Sequence, residues 1–186
     1  IGDKRMRVAL GDGYVEALRQ AYDRLPACDF VMFWWHKAAE LTESGRIHRF
    51  GFITTNSIGQ SRNRSVTTPH LQTGISMVFA IPDHPWVDSS DGAAVRIAMT
   101  VVAKGKSPGV LLRTYREASQ GDDARNIEFH HHRGVIHPDL SVGANTADAV
   151  PMKANDHISS WGIKVIGKGF VVTEAEASEL RKSCYG

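Results

Sequence analysis

Between Asp29 and Thr55 the hydrophobic period of the chain changes from that of a helix to that of a strand across one glycine, and few folds accommodate that junction. On its amino side Val31, Trp34, Trp35, Ala38 and Leu41 recur at steps of three and four. That spacing gathers them on one face of a helix over residues 29–44, with Asp29 as its expected N-cap. Gly45 follows, where a helix commonly ends on a left-handed residue. Residues 47–55, IHRFGFITT, are then β-branched and aromatic at strand length, and Asn56 and Ser57 close them. A helix, a glycine and a strand make an αβ unit, in which the apolar helix face must pack on the sheet that holds the strand. The expectation is an α/β fold.

The flanking segments extend this unit. Val15, Leu18, Tyr22 and Leu25 predict an amphipathic helix over residues 14–25, closed by Pro26. Residues 57–74 are largely polar and read as a connection. Residues 75–81, ISMVFAI, predict a strand that Pro82 and Pro85 turn out of the sheet. Two more strands are expected over 93–103 and 109–115, joined by a Lys-Gly-Lys-Ser-Pro turn. Three consecutive strands without helices imply an antiparallel edge. The polar stretch 117–126 reads as a linker, followed by short strand candidates at 126–129 and 162–166. A closing helix over 174–182 opens with a capping box, Thr173 and Glu176. The expected division is 1–116 and 117–186.

Composition narrows the function classes. Of the 186 residues 42% are hydrophobic and 23% charged, enough to bury a core, and no apolar run nears the roughly 18 residues of a membrane helix. With nothing resembling a signal peptide, the expected setting is cytoplasmic. Cys28 and Cys184 stand at opposite ends, so neither a disulfide framework nor a zinc knuckle is expected. A net charge of +2 permits nucleic-acid binding without arguing for it, because such surfaces are recognised by clustering.

Several motifs fall short of chemistry. Gly11-Asp12-Gly13 has the start of a dinucleotide fingerprint, yet Glu16 occupies the position where close helix packing needs a small residue, so a turn feeding a helix is expected. His130, His131, His132 and His137 lack a carboxylate or cysteine at metal-ligand spacing, and no metal is expected. Asp83, His84 and Asp88 have no nucleophile beside them and read as an ordered loop. The pair Trp34-Trp35 reads as core. Lys4, Arg5, Arg7, Arg46, Arg49, Arg62 and Arg64 are spaced to line a phosphate groove, with solvated surface as the equal alternative.

Two longer phrases, FVMFWWHKAAELTESGRIHRFGFITTNSIGQ and MVFAIPDHPWVDSSDGAAVRIAMTVV, resemble the adenine-specific DNA amino-methyltransferases, particularly those within large single-chain type II restriction-modification enzymes. The order of segments matches too. In that family an IGDKRMR-like segment and then the strand ending Thr-Asn-Ser follow the catalytic Asn-Pro-Pro-aromatic loop. The later stretch from GVIHPDLSVGANTADAV to EAEASEL resembles the family's passage toward target recognition.

The resemblance implies the second half of a Rossmann-like class I methyltransferase sheet, mixed with an antiparallel edge, followed by an irregular α+β extension. Residues 1–116 would close the catalytic domain, and 117–186 would form the linker and the start of target recognition. The implied reaction carries a methyl group from S-adenosylmethionine to the exocyclic amine of an adenine rotated out of double-stranded DNA. Phe79, the first choice, or Trp86 would stack on that base. Asn56 and Ser57 would sit at the active-site rim, and Lys4, Arg5, Arg62 and Arg64 would contact DNA.

Neither the glycine-rich cofactor loop nor the Asn-Pro-Pro-aromatic loop is in these residues, so no catalytic residue is assigned, no cofactor is expected on this piece alone and no methyl transfer by it. Its partners would be DNA and the rest of the parent polypeptide, with self-association through an exposed sheet edge. The runner-up is a non-catalytic DNA-binding or assembly module.

Overall fold

The computed structural model describes residues 2–23, 25–86, 95–120, 124–145, 149, 152–155, 158, 173–174 and 176–177, with backbone alone at 3–4, 118–120, 124–126 and 155. Residues 1–149 form one compact unit and 150–186 another. In the first, α1 (Asp3–Leu10), α2 (Asp12–Ala21) and α3 (Val31–Glu43) precede β1 (Arg49–Thr55). A 3-10 turn, Asn56–Gly59, leads into α4 (Ser61–Gln72), and then come β2 (Ile75–Pro85), β3 (Arg96–Lys104), β4 (Gly109–Gln120) and β5 (Ala124–Gly134).

The strands form one mixed sheet in the order β1-β3-β2-β4-β5. β3 runs antiparallel to both neighbours, β2 and β4 are parallel, and β5 returns antiparallel on β4. β1, β2 and β4 therefore point the same way, and their carboxyl ends share one edge. Of the three strands expected to make an antiparallel edge, β2 and β3 pair antiparallel, but β4 lies parallel on β2, and the antiparallel edge beyond it is made by β5.

α3 buries Met32, Phe33, Trp35 and Ala39 against Met77, Ala80, Ala98, Val102 and Leu111 of the sheet. Neighbouring helix residues point about 100° apart, so only one of the two tryptophans reaches this core. Trp35 is fully buried and Trp34 is 59% exposed.

Trp34 thus departs from the core expected of the pair, and four further readings change. Residues 57–74 are not a mere connection but the 3-10 turn and α4, whose inner face is largely polar: Asn63, Thr67 and His70 are buried beside Val66. β2 continues through Pro82, because the pairing slips between Ile81 and His84 and a proline at such a bulge leaves no ladder bond unmade, and it ends only at Pro85, paired with Arg96. The stretch 117–126 is the distal part of the β4–β5 hairpin, so the division expected at residue 116 falls inside β4. Asp29 does not cap α3, which begins at Val31 with no side-chain cap.

The strand candidate at 162–166, the carboxyl part of the closing helix and Cys184 lie outside the described residues. The capping box is formed: Glu176 N–H donates to Thr173 Oγ1 at 3.3 Å, and Thr173 N–H donates to Glu176 Oε2 at 2.7 Å. That backbone bond holds the Glu176 carboxyl below its ordinary range.

β4 enters against β2 at Gly109. A Cβ there would stand 2.5 Å from the Met77 carbonyl oxygen and 2.9 Å from the Val78 carbonyl carbon, both backbone. Gly109→Ala is expected to push the strands apart and lower stability by about 1–3 kcal/mol, read from the urea midpoint.

Candidate functional site

The carboxyl edge of the sheet is held by two hydrogen-bonded clusters. In the first, Ser57 Oγ donates to Asp29 Oδ2 at 2.8 Å, and Asn63 Nδ2 donates to the same oxygen at 2.8 Å and to the Ser57 carbonyl at 3.0 Å. The Asp29 N–H donates back to Asn63 Oδ1 at 3.0 Å. Since the Ser57 proton goes to the carboxylate, the Thr55 hydroxyl is the donor in its 2.7 Å contact with Ser57 Oγ. The lead-in to α3, the end of β1 and the first turn of α4 are thus one unit. The chain's first helix reaches the same corner, because a Cβ on Gly2 would lie 3.3 Å from Asp29 Oδ1.

The second cluster joins the 3-10 turn after β1 to three strands. Asn56 Nδ2 donates to Asp83 Oδ1 at 3.2 Å, and Arg96 Nε donates to the same atom at 2.6 Å. The Arg96 terminal nitrogens donate to both oxygens of Glu117, at 2.6 and 3.3 Å. Thr114 Oγ1 donates to the Asp83 carbonyl at 2.7 Å. Glu117 first, and Asp83 after it, raise the pKa of the Arg96 guanidinium further above its ordinary value. These groups are about one-third exposed or more, so the ion pairs fix geometry more than they add stability.

Asn56 and Ser57 therefore stand at the strand-end rim, each in a different cluster. The two candidate stacking aromatics are apart. Trp86, directly after β2, is 47% exposed at the rim, and its backbone N–H donates to the Val95 carbonyl at 2.9 Å. Phe79 is half-buried inside the sheet between Val101 and Val110. At about 3.3 Å per residue, seven strand positions separate them by roughly 20 Å.

Of the basic residues, Arg62 is exposed and Arg64 half-buried, flanking Asn63 on the first turn of α4 and so at the rim. Arg5 is exposed on α1, and the side chain of Lys4 lies outside those described. Arg7 is occupied by Asp12 at 2.9 Å and Glu16 at 2.6 Å. Arg49 starts β1, about 20 Å from the rim end of that strand, and Arg46 precedes it, so one groove does not collect all seven.

Gly11 bridges α1 and α2 at φ +81°, the turn expected of it. It lies between helices rather than after a strand, where a dinucleotide fingerprint would stand. His130, His131 and His132 are exposed on β5. Asp83 is engaged by Arg96, His84 Nδ1–H donates to the Pro85 carbonyl, and Asp88 lies outside the described residues. Among the described residues no group of three or more His, Cys, Asp or Glu side chains is placed to hold a metal, and no helix is long and apolar enough to cross a membrane.

Residues 7–113 match the family model of the MmeI DNA-methyltransferase domain. Among solved structures the chain is similar to the Type IIL restriction-modification enzyme MmeI in complex with DNA, with a TM-score of 0.61 over 92% of this chain and 24% identity, a likeness of fold. The chain spans 23% of the length of that protein. No curated protein sequence matches it at a significant level.

Proposed function

This chain belongs to the MmeI DNA-methyltransferase domain family, and from that premise we propose that it is the carboxyl-side half of an adenine-specific, S-adenosylmethionine-dependent DNA methyltransferase. Residues 1–116 close the catalytic domain, and residues 117–186 lead toward target recognition. The methyl donor and the amine-accepting loop belong to residues outside this sequence, so the piece alone transfers no methyl group. Its partners are duplex DNA and the rest of the parent polypeptide, in the cytoplasm of a bacterium.

One observation carries this reading: the start of α1, the end of β1 and the first turn of α4 converge at Asp29, on the strand-end edge where open α/β sheets bind ligands. By the family resemblance, the segment at α1 directly follows the catalytic loop. Asn56 and Ser57 then border the pocket, Arg62, Arg64, Arg5 and Lys4 meet phosphates, and Trp86 stacks on the flipped base. Phe79, held within the sheet, takes the lesser part.

Fluorescence anisotropy on a duplex with one mismatched adenine tests this. Arg62→Glu with Arg64→Glu is expected to weaken binding to every duplex and to flatten its salt dependence, by about 0.9 in logarithmic slope for each phosphate no longer neutralised. Trp86→Ala is expected to remove the preference for the mismatched duplex, on the order of 5- to 100-fold, as stacking of about 1–3 kcal/mol per base requires. An unchanged mismatch preference in Trp86→Ala and Phe79→Ala alike would refute the base pocket, and robust methylation by the purified chain would refute its incompleteness.

A further inference from the structure

α3 and α4 meet through a row of four titratable side chains. Glu43 Oε1 lies 2.8 Å from His70 Nδ1, His70 Nε2 lies 2.7 Å from His36 Nδ1, and His36 Nε2 lies 3.5 Å from Glu40 Oε1. His70 is 8% exposed, with the Trp35 ring 5.8 Å away. The His36 end opens on a cavity of about 390 Å³ lined by Tyr22, Asp23, Leu25, Lys37 and Glu40.

Counting hydrogens settles the tautomers. A carboxylate only accepts, so His70 Nδ1 carries the hydrogen that faces Glu43. Neutral His70 then has a bare Nε2, which accepts from His36 Nδ1–H. His36 is left with a bare Nε2 facing Glu40 and the cavity.

We propose that Glu43, His70, His36 and Glu40 form a proton-gated latch between α3 and α4, which takes up one proton with its central bond intact and opens when a second arrives. The first proton, drawn from water, enters at His36 Nε2. Both outer ring nitrogens then donate to carboxylates, and one hydrogen occupies the 2.7 Å gap between the rings. A second proton sets two N–H groups face to face across that gap, and the contact parts.

Other polar and aromatic groups face the row. Asp23 and Lys37 line the cavity, and Lys37 Nζ donates to Glu40 Oε2 at 3.2 Å. Tyr22 stands edge-on to His36 at 5.9 Å, and Thr73 Oγ1 donates to Glu43 Oε1 from beyond α4. Burial first, and His70 next, hold His36 below its ordinary value of 6.5. The unfolded chain therefore protonates before the folded one. The contribution of the latch to stability is whole above about pH 6.5 and is lost as pH falls below it.

Long-range ¹H–¹⁵N spectra of the histidine rings in the whole chain, taken from about pH 8 to about pH 5, read the latch directly. Expected are Nδ1–H tautomers for both rings at the alkaline end, then one proton gained jointly, with the α4 amide signals near His70 lost only at the second. An Nε2–H tautomer of His36 at the alkaline end would overturn the proposal, as would two independent full titrations with α4 undisturbed. His36→Gln, whose amide reaches His70 but takes no proton, is the second test. Its unfolding constant should depend less steeply on pH below 6.5 than that of the unsubstituted chain, by up to about tenfold per pH unit for each proton removed. Identical pH dependence in the two chains refutes the latch.

Discussion

Trp35→Ala is expected to destabilise the chain by about 3–5 kcal/mol, the largest loss from any single truncation in α3. Trp35 is fully buried, its ring packs edge-on to Phe50 at 5.4 Å and tilted over His70 at 5.8 Å, and it sits where α3, β1 and α4 meet. No neighbouring element closes such a cavity without moving off the sheet. The indole N–H is also buried without a partner among the described residues. Trp35→Phe keeps most of the ring contact and removes that orphaned donor, so it should cost about 1.5 kcal/mol or less. Urea unfolding of the two variants checks the pair, and equal losses would show that ring volume is not what Trp35 contributes.

Asn63→Leu is expected to cost about 3 kcal/mol although it conserves volume and adds apolar surface. Asn63 is 4% exposed and satisfies the Asp29 N–H, the Ser57 carbonyl and one Asp29 oxygen at once. Leucine leaves all three short of a partner, at about 1–3 kcal/mol for each buried group that water cannot reach. Ser57→Ala removes a donor from the same carboxylate. The double variant should then lose less than the two single losses together by at least about 0.5 kcal/mol. Additive losses, measured by urea midpoints, would mean that the corner is not one network.

α3 and β1 were legible because their apolar residues follow the periods of helix and strand and their partners are simply oil. α4 was not. Beside Val66 its inner face is made of Asn63, Thr67 and His70; Thr67 turns its hydroxyl back to the Arg64 carbonyl, while Asn63 and His70 are buried only because Asp29, Glu43 and His36 await them, and no local pattern announces a distant hydrogen-bond partner. The outer half of the β4–β5 hairpin was missed for the opposite reason. Past the strand expected over 109–115, Arg116 and Glu117 are exposed in succession and show no inside-outside alternation to read. At the rim, Asn56 and Ser57 were singled out on the family phrase, whereas the roles of Asp29 and Asn63 carry no signal in sequence because their partners come from other elements. The one available hint was Arg96 itself, a charge at the threshold of an apolar strand.

The two margins of the sheet are unlike. β5 shows the solvent Glu128, three histidines and Arg133, an arrangement that discourages another strand from pairing, while β1 offers RFGFITT with Ile53 55% exposed. Among the described strands, edge pairing through β5 is therefore disfavoured and β1 is the margin open to it. Were two copies to pair β1 to β1 about a twofold axis, the margins left outside would be the guarded ones, and the pairing would close as a pair instead of growing into a fibre.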